Sequence, residues 1–193
     1  MIAAALLVGI GRRQTESQAR TLGRILGAMT GVLYAGVLTY SWIPPSLTWS
    51  MPLQLTDLAT MAGAYALWSQ RHWAVALTYY WGLVLSTQAL ISPVFRGPDF
   101  PDYRFLAFFT MHLLVVWAAI YLTWGRGFRP PWRSYRFVVG VTLAWAAITY
   151  AFNSFAGSNY GFLNRKPETP SLLDLFGPWP VYLLTAAALV LAV

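Results

Sequence analysis

The sequence predicts an all-α membrane protein built as a bundle of seven transmembrane helices. Of its 193 residues, 58% are hydrophobic and only 10% are charged, whereas an ordinary soluble domain carries about 25% charged residues. The 10 Trp, 11 Tyr and 11 Phe belong to the side chains that collect at membrane interfaces. We expect residues 1–193 to form a single polytopic domain that crosses the plasma (inner) membrane of a bacterium several times.

The apolar runs give the expected helices in order. A helix needs about 20 mostly apolar residues to cross a bilayer, and five runs reach or approach this length: 22–43, 52–69, 73–93, 105–124 and 137–153. Two shorter runs, 1–10 and 178–193, stand at the two ends. The first lacks the basic region and small-residue cleavage site of a signal peptide, so we expect the first and last helices to be short or truncated.

The basic residues set the expected orientation, because cytoplasmic loops carry an excess of Lys and Arg. One side of the predicted membrane holds nine Arg residues: Arg12, Arg13, Arg20, Arg24, Arg71, Arg126, Arg129, Arg133 and Arg136. The other side holds four basic residues: Arg96, Arg104, Arg165 and Lys166. This asymmetry predicts an outer N-terminus and a cytoplasmic C-terminus.

Composition also excludes several classes of function. The net charge is +7, but the Arg residues fall between apolar runs and not in one patch, so we predict no nucleic-acid partner. The chain has no Cys, which excludes disulfides, thiolate nucleophiles and Cys metal sites. With two His and six acidic residues, we predict neither a metal nor a cofactor.

Polar residues of four predicted helices fall at a similar depth near the outer surface. Counted at 1.5 Å per residue from the predicted helix ends, Thr56 is about 6 Å deep, Gln88 about 7 Å and His112 about 10 Å. Asp57 follows Thr56, and Asn153 stands at the outer end of its helix. Ionisable residues inside membranes usually face the bundle interior or a wet cavity. The shared depth therefore predicts a cavity open to the outer leaflet.

Two of these residues have simpler interpretations when each is taken alone. Asp57 lies near a predicted helix start, where it could cap the helix and complement its dipole. Gln88 could hydrogen-bond between helices. The coincidence in depth is what favours a site.

The residue types at this depth suit acyl chemistry. Thr56 is the candidate nucleophile and His112 the candidate general base, while Asp57 could orient or stabilise the imidazole. The expected substrate-binding and oxyanion-binding groups are polar or basic: Gln54, Gln88, Asn153, Arg165 and Lys166. The ester region of a phospholipid lies at this depth. The sequence therefore predicts a lipid-binding membrane protein, with a lipid acyltransferase or lipid-ester hydrolase as the enzymatic hypothesis.

Small residues recur every four positions on the second predicted helix, at Gly23, Gly27, Gly31 and Ala35. Such a stripe allows another helix to approach closely. The pattern predicts tight helix packing and leaves open whether the neighbour belongs to the same chain.

Several strings in the outer half resemble a known family. They are "PLQLTDLA", "TYYWGLVLSTQALISP", "FPDYRFLAFFTMHLLVVWAAIYL" and "GSNYGFLNRKPETPSLLDLFGPWPVYLL". Between about residues 50 and 185 the chain resembles the YwaF-type bacterial integral membrane family, which is related to eukaryotic transmembrane protein 164.

The resemblance implies a seven-helix fold and acyl transfer on ether phospholipids by a Cys–His pair. The family motif usually has His and Cys where this chain has Gln54 and Thr56, and His112 matches the helix-five His. Asp57 matches the acid after the nucleophile. Two interpretations follow: Thr chemistry, as in the distantly related androgen-induced hydrolases of fatty-acid esters, or loss of catalysis.

The main alternative to an enzyme is a non-catalytic lipid-binding or scaffolding subunit of a larger membrane complex. For an enzyme, the expected partners are membrane lipids. For a subunit, another membrane protein is expected in addition. A transporter or receptor is the least favoured class, because the sequence shows no internal repeat and its polar groups lie near one face of the membrane.

Overall fold

The computed structural model describes residues 2–95 and 97–192, and these residues form helices and connections without a β-strand. Seven helices follow one another in the described chain: α1 (Ile2–Arg13), α2 (Glu16–Ser41), α3 (Leu55–Ser69), α4 (His72–Ile91), α5 (Tyr103–Gly125), α6 (Trp132–Ala156) and α7 (Val181–Ala192). Two short 3₁₀ turns, Tyr160–Phe162 and Leu172–Phe176, lie in the connection between α6 and α7.

Four of these helices, α2, α4, α5 and α6, are long and apolar enough to cross a membrane. Helix α3 has 15 residues, which at 1.5 Å per residue gives roughly 22 Å, less than the bilayer core of about 30 Å. Helices α1 and α7 have 12 residues each. The predicted class of helical membrane protein is therefore supported by four long spans and three shorter helices.

The helix bounds differ from the hydropathy pattern, and at the start of α2 a polar cap explains the difference. Helix α2 begins at Glu16 and not at residue 22. Its cap is reciprocal: the Gln18 N–H donates to Thr15 Oγ1 (3.3 Å), and the Thr15 N–H donates to Gln18 Oε1 (3.0 Å). Helix α3 begins at Leu55 and not at residue 52. Helix α6 exceeds the predicted 137–153 at both ends.

Helix α3 is central to the bundle and packs against α2, α4 and α5. Two clusters of buried apolar side chains surround it. The cluster near its start includes Ala59, Leu77, Trp81, Val115 and Val138. The cluster near its end includes Leu67, Val75, Ala118, Tyr121 and Leu122. Both clusters join α3 to α4 and α5, so the first turn of α3 is held by its neighbours.

Helices α2 and α3 approach closely where the stripe of small residues predicts it. A Cβ atom added to Gly23 would lie 2.5 Å from the Leu67 carbonyl oxygen, and one added to Gly27 would lie 2.6 Å from that of Ala64. The predicted packing is confirmed for these two glycines, and the neighbour is α3 of the same chain. A Cβ atom on Gly31 would have no atom within 4 Å, so the stripe leaves the contact at that point.

Helix α1 is anchored to the end of α5 far from the start of α3. Gly11 and Gly125 touch, since a Cβ atom on Gly11 would lie 2.7 Å from Gly125 Cα. The Arg126 guanidinium donates to the Gly11 carbonyl (3.0 Å) and pairs with Glu16. The two predicted cytoplasmic connections, after α1 and after α5, therefore meet at one end of the bundle. Arg96, one of the four basic residues predicted on the outer side, lies outside the described residues.

Candidate catalytic site at the start of α3

The structure brings Thr56 and His112 together. Thr56 lies in the first turn of α3, and His112 lies in the middle of α5 with only 5% of its surface exposed. Thr56 Oγ1 is 3.3 Å from His112 Nε2. This is longer than an ideal hydrogen bond, as is common for catalytic pairs without substrate. The predicted pair is therefore within reach of a proton transfer.

The other imidazole nitrogen fixes the protonation of the ring. His112 Nδ1 lies 2.7 Å from the Phe108 carbonyl oxygen, one turn earlier on α5. A carbonyl only accepts hydrogen bonds, so in the neutral ring the proton belongs on Nδ1. Nε2 then presents its lone pair to the Thr56 hydroxyl. This is the arrangement that a general base requires.

Asp57 has the helix-capping role that was one of its two interpretations from the sequence. Its Oδ2 accepts a hydrogen bond from the Gln54 N–H at 2.9 Å, which caps the start of α3. Both ring nitrogens of His112 have other partners, so the orienting group is the Phe108 carbonyl and not Asp57. The sequence interpretation of Asp57 as a helix cap is confirmed by this bond.

Gln54 connects the start of α3 to the loop after α6. Its Oε1 accepts a hydrogen bond from the Gly161 N–H at 2.9 Å. The same loop is held by Tyr160, whose hydroxyl accepts from the Met51 N–H (3.0 Å) and donates to the Leu47 carbonyl (3.1 Å). Burial raises the pKa of this Tyr160 hydroxyl. Gln54 therefore positions the loop beside the Thr56 turn.

Asn153 is committed to the same loop. It is 1% exposed. Its Oδ1 accepts from the Ser158 hydroxyl (2.7 Å) and the Tyr160 N–H (2.9 Å), while Nδ2 donates to the Tyr160 carbonyl (2.9 Å). These three bonds give Asn153 a structural role in the loop, and its predicted role in substrate binding stays a prediction.

The remaining predicted residues lie near the end of α4 and in the connection after α6. Gln88 is half-buried near the end of α4. Lys166 Nζ donates to Asp174 Oδ1 at 3.2 Å and lies 5.8 Å from the Tyr182 ring centroid. Hydrogen bonds from the Ser171 N–H and from Lys166 lower the pKa of Asp174. Arg165 is exposed on the same loop. Lys166 is thus already paired, and Arg165 is the more accessible cation.

Two groups near the Thr56–His112 pair were not predicted from the sequence: the Phe108 carbonyl and Tyr34. The Phe108 carbonyl could have been found from helix geometry, because a His side chain can reach the carbonyl one turn earlier. Tyr34 of α2 could not have been found from depth alone. Its ring is 8% exposed, and its hydroxyl faces the Asp57 carboxylate without the geometry of a regular hydrogen bond.

The described residues contain no group of three His, Asp or Glu side chains that could hold a metal ion. The chemistry available in the described part of the chain is therefore that of a hydroxyl, a neutral imidazole, amides and backbone N–H groups. Together, the fold and this site define a helical membrane protein with a partly buried hydroxyl–imidazole pair.

The chain belongs to the TMEM164 family, whose model matches residues 1–193. The relation to transmembrane protein 164 expected from the sequence strings is confirmed by this match. No curated protein and no solved structure matches the chain. The YwaF-type assignment within the family stays a prediction.

Proposed function

We propose that this protein is a membrane-embedded lipid acyltransferase or lipid-ester hydrolase that uses Thr56 as nucleophile and His112 as general base. The observation that carries the proposal is the contact between Thr56 Oγ1 and His112 Nε2, with the ring oriented by the Phe108 carbonyl. A nucleophile, a base and a group that orients the base form the recurring unit of covalent acyl transfer.

The reaction has two steps in this proposal. Thr56 Oγ gives its proton to His112 Nε2 and forms a bond to the acyl carbonyl carbon, and the lysolipid leaves as it takes that proton from His112. In the second step an acceptor hydroxyl, either water or a lysolipid, gives its proton to His112 and takes the acyl group. Thr56 then recovers its proton, so the protein ends unchanged.

The first turn of α3 offers N–H donors that would stabilise the negatively charged tetrahedral intermediate. The N–H groups in the first turn of a helix lack intrahelical partners, and the helix dipole favours negative charge there. The Asp57 N–H already donates to the Gln54 carbonyl at 2.9 Å. Thr56 is the second residue of α3, so an oxyanion formed at its acyl group would lie beside the N–H groups of Leu55 and Thr56. The Gln54 amide nitrogen is a further donor two residues away.

The proposal includes a membrane placement in which all seven helices enter the bilayer, with an outer N-terminus and a cytoplasmic C-terminus. The positive-inside asymmetry of the loops supports this orientation. It puts the Thr56 turn and the loop that carries Arg165 on the outer side. Arg165 would then meet the phosphate of a lipid whose ester reaches Thr56.

The experiment is acyl turnover in purified protein with mixed phospholipids, followed by lipid mass spectrometry. Thr56→Val removes the hydroxyl and keeps the branched shape, so we expect a loss of at least about 100-fold. Thr56→Ser keeps a hydroxyl and should retain measurable turnover.

The matched control is Thr78→Val, which removes the hydroxyl of a buried helical Thr that bonds the Ala74 carbonyl (2.8 Å). It should leave turnover within a few-fold of the wild type. Unchanged turnover in Thr56→Val would refute Thr56 as nucleophile. Bound lipid without turnover in the wild type would favour the alternative, a non-catalytic lipid-binding or scaffolding subunit.

A further inference from the structure

The indole of Trp145, on α6, contacts both chain segments that meet at the start of α3. Its Nε1–H donates to the Leu53 carbonyl at 3.0 Å. Its six-membered ring lies against Gly161, since a Cβ atom added to Gly161 would lie 2.5 Å from Trp145 Cη2 and 2.7 Å from Cζ2. One side chain therefore holds the residue before Gln54 and also the loop that Gln54 binds.

Gln54 closes these contacts into a single connected set. It follows Leu53 directly in the chain, and its Oε1 accepts a hydrogen bond from the Gly161 N–H at 2.9 Å. Hydrogen bonds, a peptide bond and a packing contact thus join residues that we call the α6 clamp: Leu53, Gln54, Trp145 and Gly161. The clamp ties the start of α3 to α6 and to the loop after it.

The helix cap transmits the position of the α6 clamp to Thr56. The Gln54 N–H donates to Asp57 Oδ2, and the Asp57 N–H donates to the Gln54 carbonyl, both at 2.9 Å. Thr56 lies between these two residues, so the turn that carries it moves with Gln54 as one unit. His112 belongs to another helix, α5. The 3.3 Å distance between Thr56 Oγ1 and His112 Nε2 therefore depends on where the clamp holds Gln54.

The loop at Gly161 has a backbone that needs such support. Gly161 has a φ of 64° and Phe162 a φ of 55°, and the left-handed region is unfavourable for a bulky side chain such as Phe. Gln54 and Trp145 hold the first of these residues, and the Tyr182 hydroxyl donates to the Phe162 carbonyl. Residues kept in such conformations cluster at functional sites, where the surrounding contacts determine them.

We infer that Trp145 and Gly161 are positioning residues of the Thr56–His112 pair. They act through Gln54, and they keep the reacting hydroxyl within hydrogen-bond reach of the imidazole. This inference rests on the proposed function, because it assigns the clamp a role in the reaction at Thr56. A displacement of about 1 Å at a reacting group can lower a rate about 100-fold, so disturbing the clamp should lower kcat.

Two substitutions disturb the clamp at its two contacts. Trp145→Phe removes the N–H that binds Leu53 and keeps an aromatic ring. Gly161→Ala puts a Cβ atom into the indole and pushes the loop away from Gln54. In purified protein with mixed phospholipids, we expect kcat to fall about 10–100-fold in each variant. KM should stay nearly unchanged, because the change acts on the reacting hydroxyl and not on uniform substrate binding.

Each substitution has a matched control in the connection after α6. Trp179→Phe removes an indole N–H that donates to the Leu163 carbonyl, also at 3.0 Å. Gly157→Ala adds a Cβ atom at a φ of 66°, close to that of Gly161, but this atom meets nothing within 4 Å. Both controls should keep kcat within a few-fold of the wild type. Thermal unfolding checks that every variant is folded, and Trp145→Phe carries the test if Gly161→Ala does not fold.

A second measurement does not depend on turnover. The chain has two His, so His72→Gln assigns the imidazole signals in the nuclear magnetic resonance spectrum of protein labelled with ¹⁵N at histidine. Thr56→Val removes the hydrogen bond to His112 and gives the shift of the Nε2 signal that this loss causes. Trp145→Phe and Gly161→Ala should move the signal in the same direction, whereas the two controls should leave it in place.

The outcomes separate this inference from the proposed function. An unchanged His112 signal or a wild-type kcat in both clamp variants would overturn the inference, and turnover that needs Thr56 would still leave the proposed function standing. Equal signal shifts in the controls would also overturn it, because they would show a general loosening of the loop. A wild type without turnover would refute the proposed function, and a His112 signal that still moves only in the clamp variants would support the clamp.

Discussion

Gly27→Ala tests the helix contact that positions the site, because the same substitution should have opposite effects at two places on α2. The added Cβ atom at Gly27 would lie 2.6 Å from the Ala64 carbonyl oxygen and 3.0 Å from the Trp68 backbone nitrogen. Both are backbone atoms, so α2 and α3 must separate. At Gly36 the same atom meets nothing within 4 Å.

The magnitudes follow from two known costs. Overpacking costs about 1–3 kcal/mol, and replacing Gly by Ala inside a helix gains about 0.5–1 kcal/mol. Gly27→Ala should therefore lower the free energy of unfolding by about 0.5–2 kcal/mol, whereas Gly36→Ala should raise it by about 0.5–1 kcal/mol. With about 2–4 °C per kcal/mol for a chain of this size, the expected shifts in melting temperature are roughly −1 to −8 °C and +1 to +4 °C.

The assay is thermal unfolding in detergent, followed by intrinsic fluorescence, with wild type, Gly27→Ala and Gly36→Ala measured side by side. Equal stabilisation by both substitutions would refute the close approach of α2 to α3. A loss at both positions would show instead that α2 packs along its whole length, which contradicts the open space beside Gly31.

Three further predictions test the surroundings of the site. Asn153→Ala removes three hydrogen bonds to the loop, so we expect a loss of about 3 kcal/mol at about 1 kcal/mol each, measured by chemical unfolding; a loss near zero contradicts the buried network. Hydrogen bonds from the Ser171 N–H and Lys166 lower the pKa of Asp174. The Asp174 carboxylate therefore stabilises the loop at neutral pH, and this stabilisation is lost as the pH falls through the pKa of Asp174 in the folded protein. Hydrogen exchange of the loop should rise on acidification in the wild type and be high at all pH values in Asp174→Asn; identical pH profiles refute the role of the pair. Because the chain has no Cys, single cysteines at Ser17 and Thr48 should react with an impermeant maleimide from the cytoplasmic and outer sides respectively, and the opposite pattern inverts the proposed orientation.

The sequence was sufficient for the class of fold and for the central pair. Long apolar runs located α2, α4, α5 and α6, and counting residues from the predicted helix ends placed Thr56 and His112 in the same outer third of the bilayer. Counting residues from the helix ends is informative because helices that cross a bilayer run in nearly the same direction. Residues at the same depth on neighbouring helices can therefore lie close together.

The parts that could not be predicted depend on local backbone partners. Asp57 and Asn153 have the right depth for a site, but their polar atoms bind the main chain at Gln54 and Tyr160. Hydropathy cannot show which backbone group a side chain will meet. The same limit applies to the start of α2, where the polar first turn is helical only because Thr15 and Gln18 cap it.

The small-residue stripe shows a third limit. The same four-residue spacing covers Gly27, which touches α3, and Gly31, which lines a groove. Only the crossing of the two helices decides where contact ends. A sequence pattern therefore predicted that a close approach occurs, and it could not predict that the approach opens into a cavity beside Thr60.

The measurement that most directly tests the central claim is covalent labelling of the nucleophile. A long-chain fluorophosphonate bonds to an activated hydroxyl oxygen and releases fluoride, and peptide mass spectrometry then locates the adduct. We expect the adduct on Thr56 in the wild type, with a labelling rate about 10²–10⁴-fold lower in His112→Gln because the base is removed. An adduct at another residue, or labelling of Thr56 at an unchanged rate in His112→Gln, would contradict the account.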